Sequence, residues 1–317
     1  MSCRLLLPLF LFVLWVSSAQ TQIIITHIEG AASWKQESAA EWKPLETGQI
    51  VPFGGLMQVE KESELHFLSS GVYFRLQDAG EYEVKKLLRA QSPSVATKLP
   101  EGMTTLSEEA FQSMRNAAAW DKYLESMEKE LDYGIGAIAP VGGLVEGPYC
   151  EFNWLPLDHP GVLHYRLKIW AFESKQEILE TRISSHKLGL QITDLFVDQG
   201  ETYVWQVEAV LDETYDDIAN LKTIRSAPVE FLFTPEKTSP LKQALRALPL
   251  YADLPPSSQY FLLANALETD QYYSTAFYVL RSWMEEEPEN VLATRAYATF
   301  LARRGYVDAV EEWMEGE

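Results

Sequence analysis

A multidomain α+β architecture is predicted for this 317-residue chain by three observations. Residues 23–90 and 144–236 alternate polar and apolar side chains between glycine and proline turns, the period of strands with one buried face. Residues 103–133 and 240–317 space their apolar residues by three and four, the period of amphipathic helices. Within the last segment the pattern recurs at an offset of 33 residues, which points to a repeated helix pair.

The first segment reads as an export signal. Arg4 supplies a positive start, Leu5 to Val16 is apolar apart from Pro8, and Ser17-Ser18-Ala19 offers small residues for cleavage before Gln20. The apolar run is about a dozen residues, short of the roughly 20 needed to span a bilayer. Residues 1–19 are therefore expected to be removed, leaving a periplasmic or secreted protein. ATP-, NAD- and DNA-dependent chemistry is disfavoured in that setting. Asn116, Asn153, Asn220, Asn265 and Asn290 all lack Ser or Thr two places on, so no N-glycosylation acceptor is present, which suits a bacterial periplasm.

The charge balance bounds the partners. With 46 acidic against 26 basic side chains the formal charge is −20, which repels nucleic acid and anionic membrane and favours solubility. A 47% apolar share is that of a globular protein. Cys3 leaves with the signal, so Cys150 has no intramolecular partner. Its apolar neighbours Tyr149 and Phe152 predict a buried thiol, with an intermolecular disulfide as the alternative. No cysteine stands at the cleavage point, so a lipid anchor is not expected.

Strands follow in order through residues 23–90. They are Ile23 to Ile28 ending at Glu29-Gly30, Ala31 to Lys35, Gln49 to Val51, Leu56 to Val59 after Gly54-Gly55, Glu64 to Leu68, and Val72 to Leu76 after Gly71. The glycine and strand spacing, with Pro44-Leu45 and Gly48, resembles the periplasmic FecR-type β domain. Ser69-Ser70-Gly71 departs from it, since that family usually carries an acidic residue before this glycine. The resemblance implies an envelope signalling or scaffolding role without catalysis.

Pro93 and Pro100 mark a linker over residues 91–102. Leu106, Ala110, Met114, Ala117, Ala118, Tyr123, Met127 and Leu131 predict a helical connector over 103–133, with Ser107 as its cap. Glycines from Gly134 to Gly143 form a second linker. Beyond it, Leu163, Tyr165, Leu167 and Ile169 are expected to point one way, and His164, Arg166 and Lys168 the other. Leu190 to Phe196 leads to a turn ending at Gly200. Thr202 to Val210 is the strongest strand, and Val229 to Phe233 closes the unit. About 90 residues with seven or so such strands describe a β-sandwich. Trp154 as an early core tryptophan, with Leu195, Gly200 and Tyr203 placed as in a tyrosine corner, resembles a fibronectin type III domain. The resemblance implies a spacer or binding platform.

The 33-residue offset pairs Leu263 with Ala296, Ala264 with Tyr297, Leu267 with Phe300, Tyr273 with Tyr306, Ala276 with Ala309 and Leu280 with Trp313. Alanines at 276 and 309 allow close helix approach, and Pro288 falls between units. This resembles tetratricopeptide repeats, normally ~34 residues each. Leu241 to Leu254 is expected to add a packing helix.

No GxSxG, HExxH, P-loop or CxxC motif occurs, and His27, His66, His159, His164 and His186 are scattered. The acidic stretch 212–217 suits a hard cation in residue type but lacks the turn glycine of a calcium loop. The expected function is therefore a non-enzymatic interaction or scaffold protein of the bacterial cell envelope. It is expected to need no cofactor or metal, and to have a protein partner. The candidate partner surface is the concave face of the terminal helices, with Tyr260, Asn265, Tyr272, Arg295 and Arg303. That tail is expected to be separable from the rest, which should stay folded without it. The alternative is an envelope carbohydrate- or peptidoglycan-binding module using Trp34, Trp42, Tyr73 and Tyr82. A further alternative is a hydrolase in which Ser, His and a carboxylate converge.

Overall fold

The computed structural model describes residues 22–37, 39–103, 135–140, 142–147, 149–157, 160–191, 195, 200–212, 223–234 and 238–303. The export signal, the connector over 104–133, His159, most of the acidic stretch 212–217, and Tyr306, Ala309 and Trp313 lie outside the described residues. What is described is an α+β chain with several antiparallel sheets.

The first unit packs two sheets face to face. One has the order β4 (Ile50–Pro52), β1 (Gln22–Glu29), β6 (Glu64–Ser69), β7 (Val72–Leu76), β9 (Ala96–Lys98). The other has the order β3 (Lys43–Pro44), β2 (Ala32–Lys35), β5 (Leu56–Val59), β8 (Gly80–Glu83). Ile23, Ile25, Met57, Val59, Leu65, Phe67, Phe74 and Leu76 fill the space between them. Strand β9 lies in the stretch read as linker and pairs with β7. Helix α1 (Val84–Ala90) follows β8 directly where the sequence pattern suggested strand, and Val84 is buried in this core.

The first sheet is buried on both faces, which explains its composition. Side chains alternate across a strand. Ile23 and Ile25 enter the core between the sheets, so Ile24 must face the other way, where it joins the core of the C-terminal helices. The same holds for Leu68 and Tyr73, whose sequence neighbours Phe67 and Phe74 belong to the first core. An unbroken Ile-Ile-Ile run is what a doubly covered strand requires.

The second unit is a sandwich. One sheet has the order β10 (Ala137–Ala139), β12 (Tyr149–Trp154), β15 (Lys187–Gln191). The other runs β11 (Leu144–Val145), β18 (Val229–Phe233), β16 (Thr202–Leu211), β13 (Val162–Ala171), β14 (Glu177–Ile183), with β17 (Thr223–Arg225) also on β16. Phe152, Trp154, Leu167, Ile169, Trp205 and Val207 meet in its core, and Cys150 is buried there. Tyr165, Leu167 and Ile169 point inward as the alternation requires. Leu163 is 59% exposed, because a register shift between Val162 and His164 turns it out of phase.

The helical unit comprises α2 (Pro240–Arg246), a 3₁₀ turn (Tyr251–Asp253), α3 (Pro256–Thr269), α4 (Tyr273–Glu286) and α5 (Val291–Arg303). Ser239 Oγ accepts from Lys242 N at 2.9 Å to cap α2, and Asn290 Oδ1 accepts from Leu292 N at 2.9 Å at the start of α5. Pro256 opens α3, where a missing N–H costs nothing. Ala264, Leu267, Ala276, Leu280, Trp283 and Phe300 are buried between the helices, and fully buried Ala276 lets α3 and α4 approach.

Candidate functional site

The helical unit is built into both β units, and the contacts that do this form the most organised polar assembly of the described residues. On the first unit, Tyr73 (1% exposed) donates from its hydroxyl to Ser258 Oγ at 2.8 Å, and Ser258 donates to Thr26 Oγ1 at 3.2 Å. Ser257 Oγ donates to the Thr26 carbonyl at 3.3 Å. Behind Tyr73, His66 Nδ1 lies 2.6 Å from the tyrosine oxygen, and His66 Nε2 meets the Glu64 carboxylate, which Arg75 Nε also contacts. The chain of groups runs from solvent-touched Arg75 and Glu64 through buried His66 and Tyr73 into the first turn of α3.

Electrostatics follow from that placement. Burial pushes the Glu64 carboxyl up, but hydrogen bonds from Arg75, Gln77 and His66 outweigh it and bring it down to about 2. Burial drives the His66 imidazole down to about 4 against the opposing pull of Glu64. The Tyr73 hydroxyl is pushed up to about 12 by burial, with Ser258 and Thr26 working against it.

A second edge is made by Gly48, whose φ of +82° lets the turn before β4 lie against the start of α5. A Cβ here would sit 3.0 Å from Leu292 N, and Arg295 Nη1 donates to the Gly48 carbonyl at 3.1 Å. The third edge joins the sandwich to α4. Tyr278 donates to the Glu151 carbonyl at 2.8 Å and accepts from Asn153 Nδ2 at 3.1 Å. Leu144 N donates to the Gln271 carbonyl at 2.8 Å, and Lys242 Nζ pairs with Glu146 Oε1 at 2.5 Å.

The five residues expected on one concave helical surface are dispersed. Asn265 and Arg303 do line one shallow groove with Glu268 and Thr299. Asn265 Nδ2 donates back to the Phe261 carbonyl, and Arg303 pairs with Glu268 at 3.4 Å. Arg295 is committed to Gly48. Tyr260 stacks on Trp283, centroids 6.0 Å apart. Tyr272 is buried at the N-terminus of α4 and offers nothing to a ligand.

The four aromatics expected to hold a sugar are not one surface either. Tyr73 is the buried interface residue above. The register row Lys43–Trp34–Met57–Tyr82 crosses the second sheet, and buried Met57 marks it as the core-facing row. Trp34 and Tyr82 therefore pack their rings against the core margin. Trp42 faces elsewhere, beneath Lys35 Nζ at 4.4 Å from its ring centroid.

A carboxylate, a histidine and a serine do converge in Glu64, His66 and Ser258, a relationship that scattered sequence positions could not reveal. Tyr73 stands between the imidazole and the serine, and His66 and Ser258 are both fully buried. In this packing no substrate reaches Ser258 Oγ, so the assembly holds two units together. His27 stacks edge-on to His66 and lines a cleft of about 500 Å³ with Glu46, Ser257, Glu287 and Asn290. Among the described residues no helix is long and apolar enough to cross a membrane.

No protein-family model matches the sequence, and no curated protein matches it significantly. Among solved structures the chain is similar to the fibronectin type III domain of human collagen alpha-1(XX) chain. Identity there is 14% and TM-score 0.23, over 34% of this chain and 83% of that one. It is also similar to the FN1–FN3 domains of chicken CNTN1, at 10% identity and TM-score 0.22, over 68% of this chain and 57% of that one. A cytokine receptor complex is similar at 10% identity and TM-score 0.23, over 70% of this chain and 94% of that one. At these scores the sandwich assignment rests on the strand pairing itself.

Proposed function

We propose that this chain is an exported, non-enzymatic scaffold of the bacterial cell envelope that holds a protein partner. In this reading residues 1–19 are a cleaved signal, the first unit is FecR-like, the sandwich is fibronectin type III-like and the helices are tetratricopeptide-like. One observation carries it: the helical unit shares a core with the first β sheet and is hydrogen-bonded to both β units. Rigid spacing of surfaces is what a scaffold needs, and buried hydrogen bonds between units resist hinge motion better than exposed linkers do.

The test is in-cell cross-linking of the full chain followed by mass spectrometry of the captured material. The expected result is a specific protein partner recovered from the envelope fraction. Recovery of peptidoglycan or other glycan in place of protein overturns the reading, as does turnover of an envelope substrate by the purified chain.

A further inference from the structure

We infer that two copies of this chain join edge to edge through strand β14, antiparallel about a two-fold axis at Thr181. The inference stands apart from the identity of any other partner. Strand β14 ends its sheet, and among the described residues nothing pairs with its outer side. An edge of this kind offers a row of main-chain donors and acceptors to another strand.

The main chain shows which residues face that open side. Ala171 N donates to the Gln176 carbonyl at 2.9 Å, and the Ala171 carbonyl accepts from Lys175 N at 3.1 Å. Ala171 thus directs both groups to the β14 side. Pairing of β13 with β16 is unbroken from His164 to Ala171, so alternate residues of β13 do the same, Leu167 and Tyr165 among them. Their register partners Thr181 and Ile183 return those bonds. Glu180 and Arg182, in alternation, direct their N–H and C=O groups outward.

The order of side chains along β14 selects a second copy as the occupant. With the axis at Thr181, Glu180 of each copy lies opposite Arg182 of the other, and these are the residues whose main chain faces out. Leu179 lies opposite Ile183, and Thr181 opposite itself. Opposite-charge, aliphatic and Thr–Thr pairs are each favourable across strands. Centring the axis on Glu180 or on Arg182 instead sets like charge on like charge. Centring it between residues turns the apolar margin of one copy onto the charged face of the other. Leu179, Thr181 and Ile183 form that margin, half-buried beside the sandwich core. Pairing covers them further.

Arg182 gains most. It is exposed and stands opposite Arg166, a like-charge pair within one copy. Arg166 has Glu208 at 3.3 Å and Glu180 at 3.4 Å, whereas Arg182 has no ion pair among the described residues. Glu180 of the second copy supplies one. Glu177 falls opposite Ser185, beyond the paired stretch, so the junction itself is neutral. The formal charge of −20 on each copy opposes association, but charges beyond about 8 Å are screened at physiological salt. A two-fold pairing closes on itself and uses up the edge.

The test is sedimentation equilibrium of the full chain from about 1 µM to about 1 mM. A reversible monomer–dimer equilibrium is expected. Arg182→Glu, with an unchanged melting temperature, should weaken it at least about tenfold, since the cross-strand charge pairs on both sides of the axis become like-charged. Glu180→Arg should weaken it likewise. An equimolar mixture of the two variants should dimerise again, because each then supplies the charge that the other lacks. Thr181→Cys should form a disulfide-linked dimer in air that the parent does not, since residues on the axis lie side by side. Four results overturn the inference: a monomer at every concentration, dimerisation of Arg182→Glu equal to the parent, a mixture no more dimeric than its components, or no cross-link through position 181.

Discussion

The Tyr73 hydroxyl donates a 2.8 Å hydrogen bond to Ser258 Oγ across 185 residues of chain, with both groups sealed from solvent. This bond ties the first β unit to the first turn of α3, and removing the hydroxyl tests how much it holds. Tyr73→Phe keeps the ring and leaves Ser258 and His66 Nδ1 short of a partner. Loss of about 1–3 kcal/mol is expected in urea unfolding, the range for orphaning buried polar groups. An unchanged midpoint would show that the interface is held by apolar packing alone.

Acid should loosen the same interface. His66 in the folded chain titrates near 4, below its ordinary 6.5, so its share of stability is complete above pH 6.5 and drains away as pH falls toward 4. Glu64 titrates near 2, below its ordinary 4.5, so its share is complete above pH 4.5 and is lost as pH falls toward 2. Both act in one direction, and the melting temperature should fall from pH 7 to pH 3 in two overlapping steps. His66→Gln should remove the upper step. If parent and variant lose stability in parallel between pH 6.5 and 4, the imidazole is not the group responsible.

The sandwich was legible in the sequence because strand β13 alternates buried and outward side chains along most of its length. Tyr165, Leu167 and Ile169 against Arg166 and Lys168 gave strand and orientation together, and the bulge that exposes Leu163 was beyond a simple alternation. The first unit was harder. Glu64 to Leu68 reads as polar–apolar alternation, yet His66 is fully buried because helices cover the face it occupies. The Ile23-Ile24-Ile25 run was the signal for that second cover. The interface itself was not legible: His66, Tyr73 and Ser258 are ordinary residues until register and docking bring them together. The cluster around Glu208 was hidden likewise, since Glu208 and Arg225 join Arg166 through strand pairing alone.

Buried Glu208 is paired by Arg225 at 2.9 Å, Arg166 at 3.3 Å and Lys168 at 3.4 Å, and should be costly to neutralise. Glu208→Gln leaves Arg166, Lys168 and Arg225 gathered around an uncharged, buried amide. Breaking a buried charge cluster in this way costs about 3–5 kcal/mol, somewhat less here because Arg225 is half exposed. The loss should appear as a lower unfolding midpoint with the strand signal at 25 °C, roughly room temperature, intact. A variant as stable as the parent would mean that the cations pair with solvent and not with Glu208.

Gly48 offers a way to perturb the α5 contact without touching a polar side chain. Its φ of +82° strains any residue with a Cβ, and that Cβ would press on Leu292 N at 3.0 Å. Gly48→Ala should cost about 1–3 kcal/mol and shift the turn that presents its carbonyl to Arg295. Amide exchange should accelerate first at the start of α5. Uniform acceleration across the chain would place the effect in global stability and not at this contact.

Removing the helical tail is the sharpest test of how the units depend on one another. A chain cut before Pro240 loses the cover over Ile24, Leu68 and Tyr73, each worth about 1.5–3 kcal/mol when buried. It also loses Ser258 as acceptor for Tyr73 and the Arg295 bond to Gly48. The truncated chain should bind a hydrophobic dye, melt at lower temperature and aggregate, while the sandwich core around Trp154 and Trp205 keeps its near-ultraviolet signal. A truncated chain that melts cooperatively at the parent temperature would show that the first β unit stands without the helices, and the rigid-spacer role assigned to them would fail with it.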